Sequence, residues 1–167
     1  MDEDATVALE GVKESLLQFP ASVVEEFERA RNVMPATLTP VQAASWAQSG
    51  LEIAQQTVRS WEAAVEYYRV SPIVVGFMPF NYFSKWTECG ASLCKESPTL
   101  AAAYFEASPG TMAKLRSRHI ESWSNLGLSL YKGTWKSSTL ACKFYASSGP
   151  LLESLTFPEL ERFAGFL

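Results

Sequence analysis

The residue types that do chemistry are sparse in this chain. It has one histidine, His119, and three cysteines, Cys89, Cys94 and Cys142. Zinc sites need three or four His, Cys or carboxylate ligands at short spacings. No C-x-x-C pair and no second histidine supplies them, so no metal is expected, and three unpaired cysteines read as small apolar residues in a reducing compartment. His119 follows Arg116 and Arg118, which fits a polar helix start better than the base of a Ser-His-Asp triad or a haem ligand. Glu25, Glu26 and Glu28 resemble a carboxylate cluster but lack the Glu-x-x-His partner of a di-iron bundle; they read as a solvated helix face. Lys136-Ser137-Ser138-Thr139 lacks the glycines of a phosphate-cradling loop and reads as a helix N-terminus. With no acid/base pair or nucleophile to single out, the expectation is a non-catalytic protein without a cofactor, and a pocket enzyme is the least supported reading.

Charge offers a second chemistry. The net charge of −4 conceals an acidic first part, −6 over residues 1–70, and a basic stretch between Gly110 and Tyr145. There Lys114, Arg116, Arg118, Lys132, Lys136 and Lys143 face only Glu121, a local balance of +5. Such a region steers an acidic protein or a phosphate backbone. The partner-binding candidates are therefore Lys114, Arg116, Arg118, His119, Lys132, Lys136 and Trp135, an aromatic in the loop beside Lys132 and Gly133. A protein partner is the first reading. Nucleic-acid binding through residues 114–143 is the alternative, and weak salt dependence would count against it.

These residues need elements to position them, and an internal repeat supplies those. Four aromatic pairs lie 19 residues apart: Phe27 and Trp46, Tyr67 and Trp86, Tyr104 and Trp123, Phe144 and Phe163. Around each Trp runs a ladder at helical spacing. It reads Ala43, Trp46, Ala47, Gly50, Leu51, Ala54, then Phe83, Trp86, Thr87, Gly90, Ala91, Cys94, then Ile120, Trp123, Ser124, Gly127, Leu128, Tyr131. A last copy begins with Leu160, Phe163 and Ala164, and Val7 with Gly11 resembles a degenerate first one. Glycine in a helix interior costs about 1 kcal/mol, so Gly50, Gly90 and Gly127 predict a notch for a neighbouring helix or the next repeat's aromatic. Second helices carry Val23, Val24 and Phe27, then Ala63, Ala64, Tyr67 and Tyr68, then Leu100, Ala101, Tyr104 and Phe105, then Leu140, Ala141, Phe144 and Tyr145.

Punctuation agrees with this reading. Thr39-Pro40-Val41-Gln42 is a capping box with proline at the first helical position, and Ser97-Pro98 marks another start. Ser71-Pro72, Ser108-Pro109 and Ser148-Gly149-Pro150 read as helix stops. Leu38, Met78, Leu115 and Leu155, with Val75, Met112 and Leu152 three residues earlier, predict a short connecting helix or 3₁₀ turn. Trp46, Trp86 and Trp123 could serve as a stacking platform for bases, but side chains at the same place in every unit make an inter-repeat core. That predicted core is Trp46, Gly50, Tyr67, Trp86, Gly90, Tyr104, Trp123, Gly127, Phe144 and Phe163.

The fold expected is all-α, a right-handed α-solenoid of helix-pair repeats of about 37–40 residues. It forms one domain over residues 1–167, with units at 5–38, 39–78, 79–115 and 116–155 and a terminal half-unit at 156–167. That half-unit leaves Leu160, Phe163, Ala164 and Leu167 as an apolar face expected to self-associate or dock. No run of eighteen apolar residues suggests a membrane span, and the acidic Met1-Asp2-Glu3-Asp4 is unlike a secretory signal, so a cytoplasmic location is expected.

The units Trp86-Thr87-Glu88-Cys89-Gly90 with Tyr104-Phe105-Glu106-Ala107-Ser108-Pro109, and Trp123-Ser124-Asn125-Leu126-Gly127 with Gly133-Thr134-Trp135-Lys136-Ser137-Ser138, resemble helical repeats that precede the von Willebrand factor A domain in bacterial proteins of the nitric-oxide-reductase-activation type. The resemblance covers about residues 40–167. It implies a helical scaffold beside a VWA module and an AAA+ ATPase partner. The Asp-x-Ser-x-Ser adhesion motif is missing here, so metal or ATPase-linked function would belong to another part, and the stop at Pro158 to Leu167 suggests a fragment or a half-unit capped by another subunit.

Overall fold

The computed structural model describes residues 3–133 and 137–167. Among these, nine α-helices and no strand form. The helices are α1 (Glu3–Leu16), α2 (Ala21–Val33), α3 (Pro40–Ala54), α4 (Trp61–Val74), α5 (Phe80–Glu96), α6 (Pro98–Met112), α7 (Ile120–Lys132), α8 (Ser138–Leu151) and α9 (Phe157–Gly165). The capping box at α3 forms as its residues predict: Gln42 N–H donates to Thr39 Oγ1 (3.1 Å) and Thr39 N–H to Gln42 Oε1 (3.0 Å). Ser97 and Ser137 cap α6 and α8, and a second capping box, Thr156 with Glu159, opens α9.

The even-numbered helices pack on one another in series, α2 on α4, α4 on α6 and α6 on α8, and the odd-numbered ones follow suit, α1 on α3, α3 on α5 and α5 on α7. Aromatic rings fill the space between the two series. Phe27 stacks on Trp46 (centroids 5.5 Å apart) and Tyr67 on Trp86 (5.7 Å), and Tyr104 packs on Trp123 at a 30° tilt (5.1 Å). For these three pairs the 19-residue spacing is thus a contact between the second helix of one unit and the first helix of the next. Tyr68, Phe105 and Tyr145 meet the same three indoles edge-on, and the result is a continuous column of buried rings from Phe27 to Phe144. Each aromatic pair adds about 0.5–1.5 kcal/mol to the area it buries.

The glycines make room for that edge-on ring. A Cβ on Gly50 would lie 2.1 Å from Tyr68 Cζ, on Gly90 2.1 Å from Phe105 Cζ, and on Gly127 2.1 Å from Tyr145 Cζ. The ring in each notch comes from the unit's own second helix. Tyrosine hydroxyls then lock the pair: Tyr67 donates to the Trp46 carbonyl (3.0 Å), Tyr68 to Ala47 (2.7 Å), Tyr104 to Trp86 (2.9 Å) and Tyr145 to Ser124 (2.6 Å).

Three expectations need correction. Pro72, Pro109 and Pro150 lie inside α4, α6 and α8 instead of ending them. Each falls in the last turn, so the single i−4 hydrogen bond that its missing N–H removes is lost beside the helix end instead of mid-helix, and the serine before it turns its hydroxyl back to the carbonyl four residues earlier: Ser71 to Tyr67, Ser108 to Tyr104 (2.6 Å) and Ser148 to Phe144 (2.7 Å). Val7 and Gly11 are not a first copy. Val7 is 68% exposed and a Cβ on Gly11 would meet nothing within 4 Å, whereas Ala5, Leu9, Val12 and Leu16 are buried. Phe163, assigned to the core by its spacing from Phe144, is 38% exposed. Helix α9 buries Leu160 and Ala164 as it packs on α7 and α8, but no helix among the described residues closes over Phe163. Phe166 and Leu167 also remain exposed.

A candidate basic cleft between two connectors

The connector from α6 to α7, residues 113–119, ends in a 3₁₀ turn, Ser117–His119. It faces the connector from α8 to α9, and between them lies a cleft of about 300 Å³. Four of the predicted contact residues, Lys114, Arg116, Arg118 and His119, line it together with Leu115, Leu152, Leu155, Phe157 and Pro158. The chain folds this way because Met112 and Leu115 are pulled into the core, at 4% and 7% exposure, and the residues between and after them are left at the rim.

The cations do not share one role. Lys114 Nζ donates to the Gly149 carbonyl (3.2 Å) near the end of α8 and to Glu153 Oε1 (2.6 Å). Its ammonium holds the Glu153 carboxyl below its ordinary value, by hydrogen bond and then by charge. Lys114 is therefore a brace between the ends of α6 and α8. Arg116 and Arg118 have no ion pair among the described residues, and both are exposed. His119 lies flat on Phe157, with ring centroids 4.4 Å apart and planes 13° apart. Partial burial first, then the charges of Arg118 and Arg116, hold its pKa below 6.5, with Glu161 opposing. At neutral pH the imidazole is an uncharged extension of the Phe157 ring, and the positive charge of the rim sits on the guanidiniums.

Lys132 lies elsewhere. It is the last residue of α7, twelve residues on from Ile120 and about 18 Å along the helix, and its Nζ pairs with Glu96 (3.0 Å). Trp135 and Lys136 lie outside the described residues. Glu121, the one acid of the basic stretch, pairs with Lys85 across the α5–α7 contact (3.6 Å). The +5 balance of the sequence is thus broken up in space by ion pairs. Among the other aromatics outside the repeat register, Trp61 and Tyr82 are half-buried against the core.

Chemistry elsewhere is muted. Burial raises the thiol pKa of Cys94 and Cys142 and pushes that of Cys89 up to about 11, so none is a ready thiolate at neutral pH. Among the described residues no three His, Cys, Asp or Glu side chains gather into a cluster suited to a metal, and no helix is long and apolar enough to cross a membrane.

Four residues escaped the sequence reading. Glu153, which meets Lys114, and Phe157, which lines the cleft, were silent because only the α8–α9 turn brings them there. Ser108 and Ser148 accept from the Trp86 and Trp123 indoles, at 2.8 and 3.0 Å, and a periodic signal did mark them: Ser71, Ser108 and Ser148 each lie four residues after a register aromatic. No protein-family model, curated protein or solved structure matches the chain.

Proposed function

We propose that this chain is a non-catalytic protein-interaction scaffold, built as a right-handed α-solenoid, whose binding surface is the connector edge around Arg116 and Arg118. The observation that carries the reading is a division of labour. The register aromatics from Phe27 to Phe144 are consumed in the internal column, while two unpaired arginines stand at a connector whose composition differs from unit to unit. In repeat arrays the shared positions build the core and the variable ones carry recognition. Likeness to the helical repeats that precede von Willebrand factor A domains directs the proposal toward an assembly or activation system containing an AAA+ ATPase. Pairing of Lys114 with Glu153 and of Lys132 with Glu96 leaves a dispersed positive surface, which favours a protein partner over a phosphate backbone, where binding scales with the number of free cations.

The test is capture from a nuclease-treated native lysate by the wild-type chain and by Arg116→Glu/Arg118→Glu, with Lys114 left intact because it braces α8. A specific protein retained by the wild type supports the scaffold, and its loss in the variant places the contact at this connector. Recovery of nucleic acid alone, from lysate without nuclease, abolished by moderate salt, would overturn it.

A further inference from the structure

The cleft walls differ in kind, and that difference specifies a ligand. The lining includes two guanidiniums, Arg116 and Arg118, neither in an ion pair among the described residues. The same cleft is lined by Leu115, Leu152 and Leu155 and by the flat His119–Phe157 pair. Guanidinium binds carboxylate with two parallel hydrogen bonds, and a leucine-lined recess beside an aromatic plane takes an apolar side chain. Lys114, held by Glu153 and Gly149, fixes the distance between the two connectors before any ligand arrives.

The corresponding space between the α2–α3 and α4–α5 connectors provides the contrast. It is a groove of about 420 Å³ lined by Pro35, Leu38, Val75, Met78 and Phe80 among others, with no charged side chain. Arg31, in the adjoining recess, is already bound to Glu10 (2.6 Å) and Glu28 (3.4 Å). Among the described connectors at this edge, arginine without an ion pair occurs only at residues 113–119.

We infer that this cleft is a docking site for an acidic segment of a partner protein, one that presents a carboxylate to Arg116 and Arg118 and inserts a neighbouring leucine or aromatic residue against Leu115, Leu155 and the His119–Phe157 pair. The inference rests on the scaffold reading and narrows it to one chemistry. A bare phosphate would use the arginines and leave the leucines in water. An acidic peptide with an apolar residue satisfies both.

The experiment is selection of random 12-residue peptides displayed on phage against the whole chain, followed by fluorescence anisotropy of selected peptides with the wild type, Arg116→Ala/Arg118→Ala and Leu155→Asp. Expected are selected peptides that share an Asp or Glu within a few residues of a Leu, Phe or Trp, and at least tenfold weaker binding to either variant. Circular dichroism checks that both variants fold, and if Leu155→Asp does not, Leu155→Ala replaces it. Enrichment of basic or uncharged peptides, recovery of none, binding unchanged in the arginine variant, or equal competition by inorganic phosphate and by the peptides at matched concentration would each overturn the inference. Capture of a lysate protein that ignores Arg116 and Arg118 would leave the scaffold standing and remove this site; capture of none would remove the scaffold.

Discussion

Replacing Gly90 by alanine tests the packing argument where it is most exposed to refutation. On helix propensity alone the change should stabilise by about 1 kcal/mol, because Gly90 lies in the interior of α5. The structure reverses the sign. The new Cβ would lie 2.1 Å from Phe105 Cζ and 2.4 Å from Cε1, whereas ordinary contact begins at 3.4 Å, so the ring tip must retreat by more than an ångström. Phe105 is wholly buried, with the rings of Trp86, Tyr104 and Tyr67 centred 5.2, 5.3 and 5.5 Å away, so it has no free direction. Overpacking of this kind costs about 1–3 kcal/mol, and a rigid ring hemmed on three sides belongs at the upper end. Net destabilisation of about 2 kcal/mol is expected, read as a lower urea midpoint at unchanged slope. In a Phe105→Leu background, where Cζ is gone, the same glycine change should cost little or become favourable. Gly11→Ala, which meets nothing within 4 Å, should stabilise by up to about 1 kcal/mol. A Gly90→Ala protein as stable as its parent, or an equal cost in both backgrounds, would refute the reasoning.

Other expectations follow from the same column. Ser148→Ala removes the acceptor of the buried Trp123 indole N–H and should cost about 1–3 kcal/mol, whereas Ser71→Ala should cost less, because Trp46 Nε1 is already buried with no hydrogen-bond partner among the described residues; urea titration ranks the two. Phe144→Ala should cost about 3–5 kcal/mol and Phe163→Ala less than 1 kcal/mol, in line with 1% and 38% exposure. Burial raises the pKa of Tyr67, Tyr68, Tyr104 and Tyr145 above the ordinary 10.0. Unfolded tyrosine ionises first, so stability is intact below pH 10 and falls as the pH climbs from there toward the folded values. Tyrosinate absorbance from these four should appear together with loss of helix in an alkaline titration, not before it.

The helices were legible because their apolar ladders repeat at a period no strand shares, and because Thr39-Pro40-Val41-Gln42 spells out a helix start in local chemistry. The notch at Gly50, Gly90 and Gly127 was legible as well, since glycine after indole has no other economy in a helix interior, but its occupant was not: Tyr68, Phe105 and Tyr145 sit beside the register aromatics in sequence, and only the rotation of the second helix decides which of two adjacent rings faces the notch. Ser-Pro misled because the dipeptide reads as a stop, and a serine hydroxyl that stays within the helix while serving an indole on another helix is a tertiary fact. Spacing placed Phe163 with the column, though burial needs a covering element that spacing does not promise. Of the contact residues, Lys114, Arg116, Arg118 and His119 were found together because they are near in sequence. Lys132 was grouped with them by charge, and the length of α7 separates it.

The aromatic column changes where the molecule can be divided. Trp86 touches Tyr67 in the unit before it and Tyr104 and Phe105 in its own, and Trp123 straddles the next border in the same way with Tyr104 and Tyr145. A border drawn by sequence similarity is therefore no seam. Severing the chain at 78 or 115 would strip a ring from an indole on one side and bare a tyrosine on the other, so single units excised at those borders should collapse or aggregate, and opening at any interior unit should spread to its neighbours. Amide exchange across α2 to α8 should accordingly report one cooperative block, with α1 and the end of α9, which add no ring to the column, opening ahead of it.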